Sequence, residues 1–512
     1  MNKKLRQQLS KRKRRLYQRI DKSYGFSKSR IRGTKVRFEL AEKQQAVSAS
    51  GIALILEMIG QLKLRQHINE RVEVLKLYAP YDETDHILNI ALNLLAGGTC
   101  LEHLEHRRTD EAWLNLLGSQ RIPDPTTAGD FCRRFDWFSI LMVMQAINEA
   151  RQCVWRQQSD SFFDQATIEA DGSIVETCGE KKQGIGLSHK GQWGYHPLVV
   201  SLAETQEVLY LANRSGNRPS HEHAHFYLDL AVAQCREAGF RKILLRGDTD
   251  FSQTEHLDRW HEDGVQFIFG YDAAPNLKRI ADSLDKTAFK PLSRDLRQSN
   301  KPRGKRDNSK EEFVIEKGYK NLVLASESYA EFDYQPTKCS RSYRMVVVRK
   351  EVHCHSGQQR LFGDDQVRYF FYITNASKKE LPAREVIRGA NRRCNQENTI
   401  SQLKACHCLK APLHDLESNW AYMVFASLAW TLKQWSGLLV RVKGNSGQRR
   451  VRGELRSWLL KIEFATYLSS LMLIPGQVIR SSRQLTVRLL TWRPAVDKFL
   501  TLHDHVGLPL RH

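Results

Sequence analysis

The hydrophobic period of the chain changes near residue 165, and that change limits the folds open to it. From about 46 to 158, apolar residues recur every three or four positions, as in GIALILEMIGQLKL and HILNIALNLLAGG. This is the spacing of amphipathic helices. Gly97 and Gly98 supply a helix stop, and IPDPTTAGDFCRRF gives a Pro-marked turn, a Thr or Asp cap and a new helix. From Gln165 the period shortens. ATIEADGSIVET, HPLVVSLAET and EVLYLANRSG predict three strands joined by turns. A helix is expected from about Ser220, its N-cap, to Ala238, with Gly239 as the stop. KILLRGD then reads as a fourth strand and VQFIFGY as a fifth.

Three meandering strands, a helix and further strands is the ribonuclease-H-like order. A helical crossover between the third and fourth strands sets the fourth parallel to the first. Asp171, ending ATIEAD, and Asp248, ending KILLRGD, would then lie side by side in the sheet. Glu397 stands in a later helical pattern, with Arg393 four residues before it and Lys404 seven after. At about 100° per residue, Glu397 lies roughly 40° round from Arg393 and Lys404 roughly 20° round, so all three face one way. Two strand-end carboxylates and a third from a helix can hold two divalent cations about 4 Å apart, the geometry for cutting and rejoining phosphodiester bonds. The flanking cations suit phosphates along a strand. Each acid also has a plainer reading. Asp171 precedes Gly172 as a turn signal, Asp248 could cap a turn, and Arg393–Glu397 could be a solvated i,i+4 pair. Asp250 and Asp164 are rival ligands.

Charge supports a polyanionic partner. The chain has 79 Lys and Arg against 57 Asp and Glu, a formal net charge of +22. The excess is concentrated: residues 1–37 hold fifteen Lys or Arg and one acid, Asp21. Ten cysteines without a CxxC predict reduced thiols. The charged N-terminus has no apolar signal core, and the apolar run Trp420–Leu432 is too short for a bilayer, so a cytoplasmic protein with no membrane partner is expected.

At 512 residues several domains are expected. These are a basic arm over 1–45, mobile over residues 1–37, a helical region over 46–160 that suits DNA binding or equally a purely structural bundle, a catalytic domain over 161–440 and a helical basic region over 441–512. Within the third, a β-rich insertion spans about 285–375, where EFVIEKGY, KNLVLASESY, YRMVVVRKEV and VRYFFYITN read as strands. The fold class is multidomain α+β, with the ribonuclease-H-like core flanked by helical N- and C-terminal regions.

Other motifs compete. HEHAH at His221–His225 matches the zinc-protease pattern HExxH, with His221 and His225 on one helix face beside Glu222. No downstream partner motif accompanies it. HCH at 353–355 and CHC at 406–408 have spacing too tight to close a tetrahedron. Trp193, Trp260, Trp420, Trp430 and Trp435 are core candidates, with base stacking as the alternative for one of them.

Together these pieces resemble a family. IPDPTTAGDFCRRF, IEADGS, RSGNRPSHEHA, LLRGDTDF, FYITN and NRRCNQENTISQLK occur in the order and spacing of the DDE transposases of bacterial insertion sequences, in the Arg-x3-Glu-x6-Lys branch, nearest the IS thirteen-eighty group. The resemblance implies catalytic, metal-holding acids at Asp171, Asp248 and Glu397. It implies phosphate contacts from Arg393 and Lys404, with two Mg²⁺ as cofactors and Mn²⁺ able to substitute. The expected partner is double-stranded DNA, both terminal inverted repeats and target, bound by a homodimer in a synaptic complex on the bacterial nucleoid. The expected activity is cleavage of the element ends and transfer of their 3′ ends to target DNA. A non-mobile nuclease or resolvase of the same fold is the nearest alternative enzyme. One position departs from the branch: Ala390 stands where a tyrosine often precedes the signature arginine.

Overall fold

The computed structural model describes residues 3–23, 45–76, 80–177, 179–292, 322–354, 366–392, 394–481, 484–507 and 510. Arg393, EFVIEKGY and His355 of the HCH motif lie outside the described residues.

The N-terminal half is helical, as its period predicts. The helices are α1 Lys3–Ser23, α2 Ile52–Gln61, α3 Leu64–Arg71, α4 Glu83–Leu95, α5 Leu104–Arg108, α6 Glu111–Leu117, α7 Pro125–Cys132 and α8 Trp137–Trp155. Local sequence sets their ends. Asp82 and Asp136 each form a capping box, and Asp124 accepts from the Thr127 amide with Pro125 in the first turn. Much of the basic arm expected to be mobile is the helix α1. Its Leu9 is buried, and its Arg12 donates to the Leu489 carbonyl near the far end of the chain.

The short strand β1 (Ala46–Val47) precedes the catalytic-region strands β2 Ala166–Gly172, β3 Val175–Glu176, β4 Gly186–Leu187, β5 Trp193–Tyr195, β6 Leu198–Leu202 and β7 Glu207–Ala212. Then come α9 Ala224–Glu237, β8 Ile243–Gly247, α10 Thr254–Glu262, β9 Gln266–Tyr271, α11 Pro275–Ser283, β10 Lys290–Pro291, β11 Leu322–Tyr334, β12 Tyr343–Cys354 and β13 Gln366–Thr374. One nine-stranded sheet runs β10-β11-β12-β13-β9-β8-β2-β6-β7. β2 pairs antiparallel with β6 and parallel with β8, and β8 pairs parallel with β9. This is the predicted meander and crossover.

The inserted strands continue this sheet, because β13 pairs antiparallel with β9 over Phe371↔Tyr271 to Thr374↔Ile268. The continuous apolar run of YRMVVVRKEV suits a strand covered on both faces: Met345, Val346, Val347 and Val348 are all buried.

The remaining elements are α12 Ala383–Asn391, α13 Cys394–Ala405, α14 Leu416–Leu438, α15 Ser446–Lys461, α16 Phe464–Tyr467, β14 Gly476–Ser481, β15 Gln484–Leu489 and α17 Pro494–Val506. The apolar run around Trp420–Leu432 is the centre of α14, which is buried from Ser418 to Leu438. It packs on α4, α8, α15 and β7, so it is the spine that joins the helical layer to the sheet. No described helix is long and apolar enough to cross a membrane. The C-terminal region, expected to be helical, also holds the hairpin β14–β15, which pairs with β1 from the other end of the chain.

A buried polar knot fixes helix against sheet. The Glu207 carboxylate, fully buried on β7, accepts from Arg151 Nε at 3.1 Å, Trp155 Nε1 at 3.0 Å, Trp435 Nε1 at 2.8 Å and Thr205 Oγ1 at 2.7 Å. A charge so deep is tolerable because its lone pairs are satisfied.

Candidate active site

The site begins with the register of two parallel strands. β2 and β8 pair from Ala166↔Ile243 to Glu169↔Arg246. Carried two residues further, this register sets Asp171 level with Asp248, on strands spaced about 5 Å apart. Alternation along a strand puts Glu169 and Asp171 on one face, and Arg246 and Asp248 on the same face beside them.

Asp171 lies within β2, still paired with Val199 of β6, whereas the chain turns at Asp248. Asp171 Oδ1 accepts from the Gly172 amide at 2.8 Å, and Asp248 Oδ1 accepts from the Asp250 amide at 3.1 Å, opening a 3₁₀ turn over Thr249–Phe251. The plainer turn reading therefore holds for Asp248, whereas Asp171 and Gly172 are still paired in β2. Gly270 of β9 makes room for this turn, since a Cβ there would lie 2.9 Å from the Thr249 nitrogen and 3.1 Å from the Asp248 carbonyl carbon.

The helix α13, carrying Glu397, lies across the same face. Ser201 is the cross-strand partner of Glu169, and Val199 that of Asp171. Gln396, fully buried, accepts from the Ser201 hydroxyl and donates to the Val199 carbonyl at 2.8 Å. The residue next to Glu397 is therefore anchored opposite Asp171. Lys404, on the same flank of α13 as Glu397 by helical period, donates to the Ile174 carbonyl at 2.8 Å, just past the end of β2. Burial lowers the Lys404 ammonium from its ordinary value. α12 ends at Asn391 and α13 begins at Cys394; the expected helical position of Arg393 lies outside the described residues.

Beneath the acids sits a residue that sequence reasoning missed. Arg246 Nε donates to Glu169 Oε1 at 2.8 Å, its Nη2 lies 2.6 Å from the same oxygen as an ion pair, and its Nη1 donates to the Gly389 carbonyl of α12 at 3.1 Å. One guanidinium thus ties together β8, β2 and the helix that leads into α13. Burial pushes the Glu169 carboxyl up to about 7, against the pull of Arg246; Glu204 and Asp171 add to the rise. A charge inside each of the otherwise apolar strands ATIEA and ILLRG was the available signal.

A cleft of about 1270 Å³ opens beside the acids, lined by Gly172 and Asp250 next to them in sequence and by His189, Lys190, Arg218 and Lys410. One wall is the loop 215–223, held by Arg214. Its Nη1 donates to the carbonyls of Pro219 at 3.1 Å, Ser220 at 2.8 Å and Glu222 at 3.0 Å. Burial brings Arg214 down to about 10.

Other candidates fall into place. Asp164 is paired with Arg241 at the surface, ahead of β2. HEHAH is not helical throughout: α9 starts at Ala224, so His221 and His225 do not share a helix face, and the Ser220 cap is replaced by His223 with φ 56°. His225 instead stacks on His256 with ring centroids 4.3 Å apart. The zinc-protease arrangement is therefore absent. Among the described residues no three His, Cys, Asp or Glu side chains are gathered into a group that would hold a metal ion. Mg²⁺ rarely asks for such a cage; it takes one or two carboxylates and completes its shell with water and phosphate oxygens.

A mixed sheet with this meander, this parallel pair and strand-end acids under a crossing helix defines an enzyme of the ribonuclease-H-like class. The chain belongs to the family Transposase DDE domain group 1, whose model matches residues 28–507. It is a DNA transposase, an enzyme that cuts DNA with the help of divalent metal ions. No curated protein matches the chain. Among solved structures, it is similar to a piggyBac transposase synaptic complex with hairpin DNA, at 8% identity and a TM-score of 0.36, over 90% of this chain and 88% of that chain. So loose a likeness adds nothing to the assignment.

Proposed function

We propose that Asp171, Asp248 and Glu397 are the catalytic acids, and that the protein acts on the ends of a bacterial insertion sequence of the IS thirteen-eighty group. The observation that carries this reading is the β2–β8 register, which sets Asp171 level with Asp248 beneath the helix of Glu397. The donor set is all carboxylate oxygen, the chemistry that suits Mg²⁺, with Mn²⁺ as a substitute. Two such ions, when bound, would supply charge stabilisation for the attacking and leaving oxygens of an in-line displacement.

The chain's own residues position the DNA. Lys404 and Arg393 bind phosphates at the element end, and the amides of Gly172 and Asp250 orient the Asp171 and Asp248 carboxylates. Water first attacks the phosphorus at the element end; its proton passes to solvent as the bond to the 3′ oxygen breaks. The freed 3′-hydroxyl then attacks a phosphodiester of target DNA, releasing a new 3′-hydroxyl, with no covalent protein–DNA intermediate. Two terminal inverted repeats must meet for this, so the working form is a homodimer on double-stranded DNA, in the bacterial cytoplasm at the nucleoid.

The test is nicking of a duplex carrying the element's own terminal repeats, with Mg²⁺, by Asp171→Asn. The expected outcome is loss of cleavage with thermal melting and DNA binding unchanged. Cleavage at the wild-type rate by that variant would overturn the assignment.

A further inference from the structure

Between β2 and β6 the chain makes an excursion that the ribonuclease-H-like plan does not require. Val175–Glu176, Gly186–Leu187 and Trp193–Tyr195 form a small separate sheet, β3-β5-β4, whose outer hairpin closes through Ser188 and Gln192. The Ser188 amide donates to the Gln192 carbonyl at 2.9 Å, and Gly191 takes φ +76° in the turn, a conformation that suits glycine. The base of the hairpin is rigid. Tyr195 is fully buried and its hydroxyl donates to the Gln183 carbonyl at 2.7 Å; the Gly216 amide donates to the Gly194 carbonyl at 3.0 Å.

The outer face of this hairpin is apolar and open. Trp193 is 50% exposed and Leu187 47% exposed. They are direct cross-strand partners, so their side chains share one face. The other tryptophans weighed from the sequence, Trp260, Trp420, Trp430 and Trp435, are buried. Trp137, similarly exposed, rests against Phe226 with ring centroids 5.8 Å apart. Leu187 lines the cleft beside Asp171, and with it His189, Lys190, Arg218 and Lys410.

A flat aromatic surface next to a row of cations is the combination that binds unpaired nucleic acid: bases stack on the ring, and phosphates pair with Lys and Arg. Base pairs in a duplex are already stacked and offer no free face to Trp193. We propose that the β4–β5 hairpin and the adjoining cleft form a clamp for single-stranded DNA, stacking a base on Trp193 and Leu187 and holding its backbone through Lys190 and Arg218. The clamp sits immediately beyond Asp171, so it would hold the strand that leaves the cleavage point. This proposal rests on the DNA-cleaving assignment above and adds an unpaired-strand subsite to it.

The probes are a short labelled oligo(dT) strand and a duplex of equal length, titrated with the full chain by fluorescence anisotropy. Trp193→Ala is expected to weaken oligo(dT) binding roughly tenfold and leave duplex binding unchanged. Trp193→Phe keeps most of the affinity. Lys190→Ala flattens the salt dependence of oligo(dT) binding by about 0.7 in log–log slope. Wild-type oligo(dT) affinity in Trp193→Ala would overturn the clamp, and so would an equal loss on both DNAs. Asp171→Asn separates the two assignments. If it still cuts DNA, the catalytic reading fails while the oligo(dT) result stands on its own. If it is inactive and Trp193→Ala binds normally, only the clamp fails.

Discussion

Arg246→Met should expose how the acid site is held together. The side chain is buried, at 6% exposure against 2% for its partner Glu169. The substitution removes one charged hydrogen bond and a further ion-pair contact to Glu169, and one hydrogen bond to the Gly389 carbonyl. Removing one partner of a buried pair costs about 3–5 kcal/mol, because the other charge is left in an apolar setting. Glu169 can escape part of that cost by taking up a proton, and burial has already pushed its carboxyl up to about 7.

The sign follows from linkage. A carboxyl raised in the folded state stabilises it below the unfolded value, and that contribution is lost as pH rises through about 7. Without Arg246 the carboxyl rises further. The stability gap between wild type and variant should therefore be smallest near pH 5.5 and widen by up to about 2 kcal/mol towards pH 8.5, at about 1.4 kcal/mol per pH unit above about 7. Urea denaturation at both pH values measures it. Glu169→Gln in the Arg246→Met background should recover about 1–3 kcal/mol at the higher pH. A gap that does not change with pH, together with no recovery in the double variant, would refute the reasoning.

Four further outcomes are expected. Gly270→Ala brings a methyl group within 3.1 Å of the Asp248 carbonyl carbon; it should cost about 1–3 kcal/mol in stability and lower the cleavage rate further than Lys404→Ala does. Lys404→Ala should reduce the salt slope of duplex-end binding by about one, and Lys404→Arg should restore it. Glu207→Gln should destabilise the fold by about 3–5 kcal/mol, read by denaturation, with no change in the Mg²⁺ concentration that half-activates cleavage. Pre-cut element ends incubated with plasmid and Mg²⁺ should be joined to it; cutting without joining would favour the non-mobile nuclease.

The period change near Gln165 made the core of the fold legible, because alternation and helical spacing are local properties. The parallel pairing of ATIEA with ILLRG followed from a single crossover rule. The destination of the later strands was not legible. YRMVVVRKEV reads as a strand in any sheet, and only the pairing of Phe371–Thr374 with Ile268–Tyr271 shows that it extends the central one. The same limit hid the pairing of Ala46–Val47 with β14, hundreds of residues away.

In the site, Asp171 and Asp248 could be placed because each ends an apolar run. Arg246 was overlooked because its partner lies 77 residues earlier in the chain. HEHAH misled because a pattern match assumes a helix that begins, in fact, only at Ala224. The charge count in residues 1–37 pointed to DNA and said nothing of the apolar stripe that seats Leu9 of α1 in the core.

The central claim is that Asp171, Asp248 and Glu397 themselves touch the catalytic metal, and thiol substitution tests it most directly. Sulfur is a poor ligand for Mg²⁺ and a better one for Mn²⁺. Asp171→Cys, Asp248→Cys and Glu397→Cys should each be inactive on the terminal-repeat duplex in Mg²⁺ and regain cleavage in Mn²⁺, while Asp250→Cys stays active in both. Equal activity of the three variants in the two metals would contradict the account.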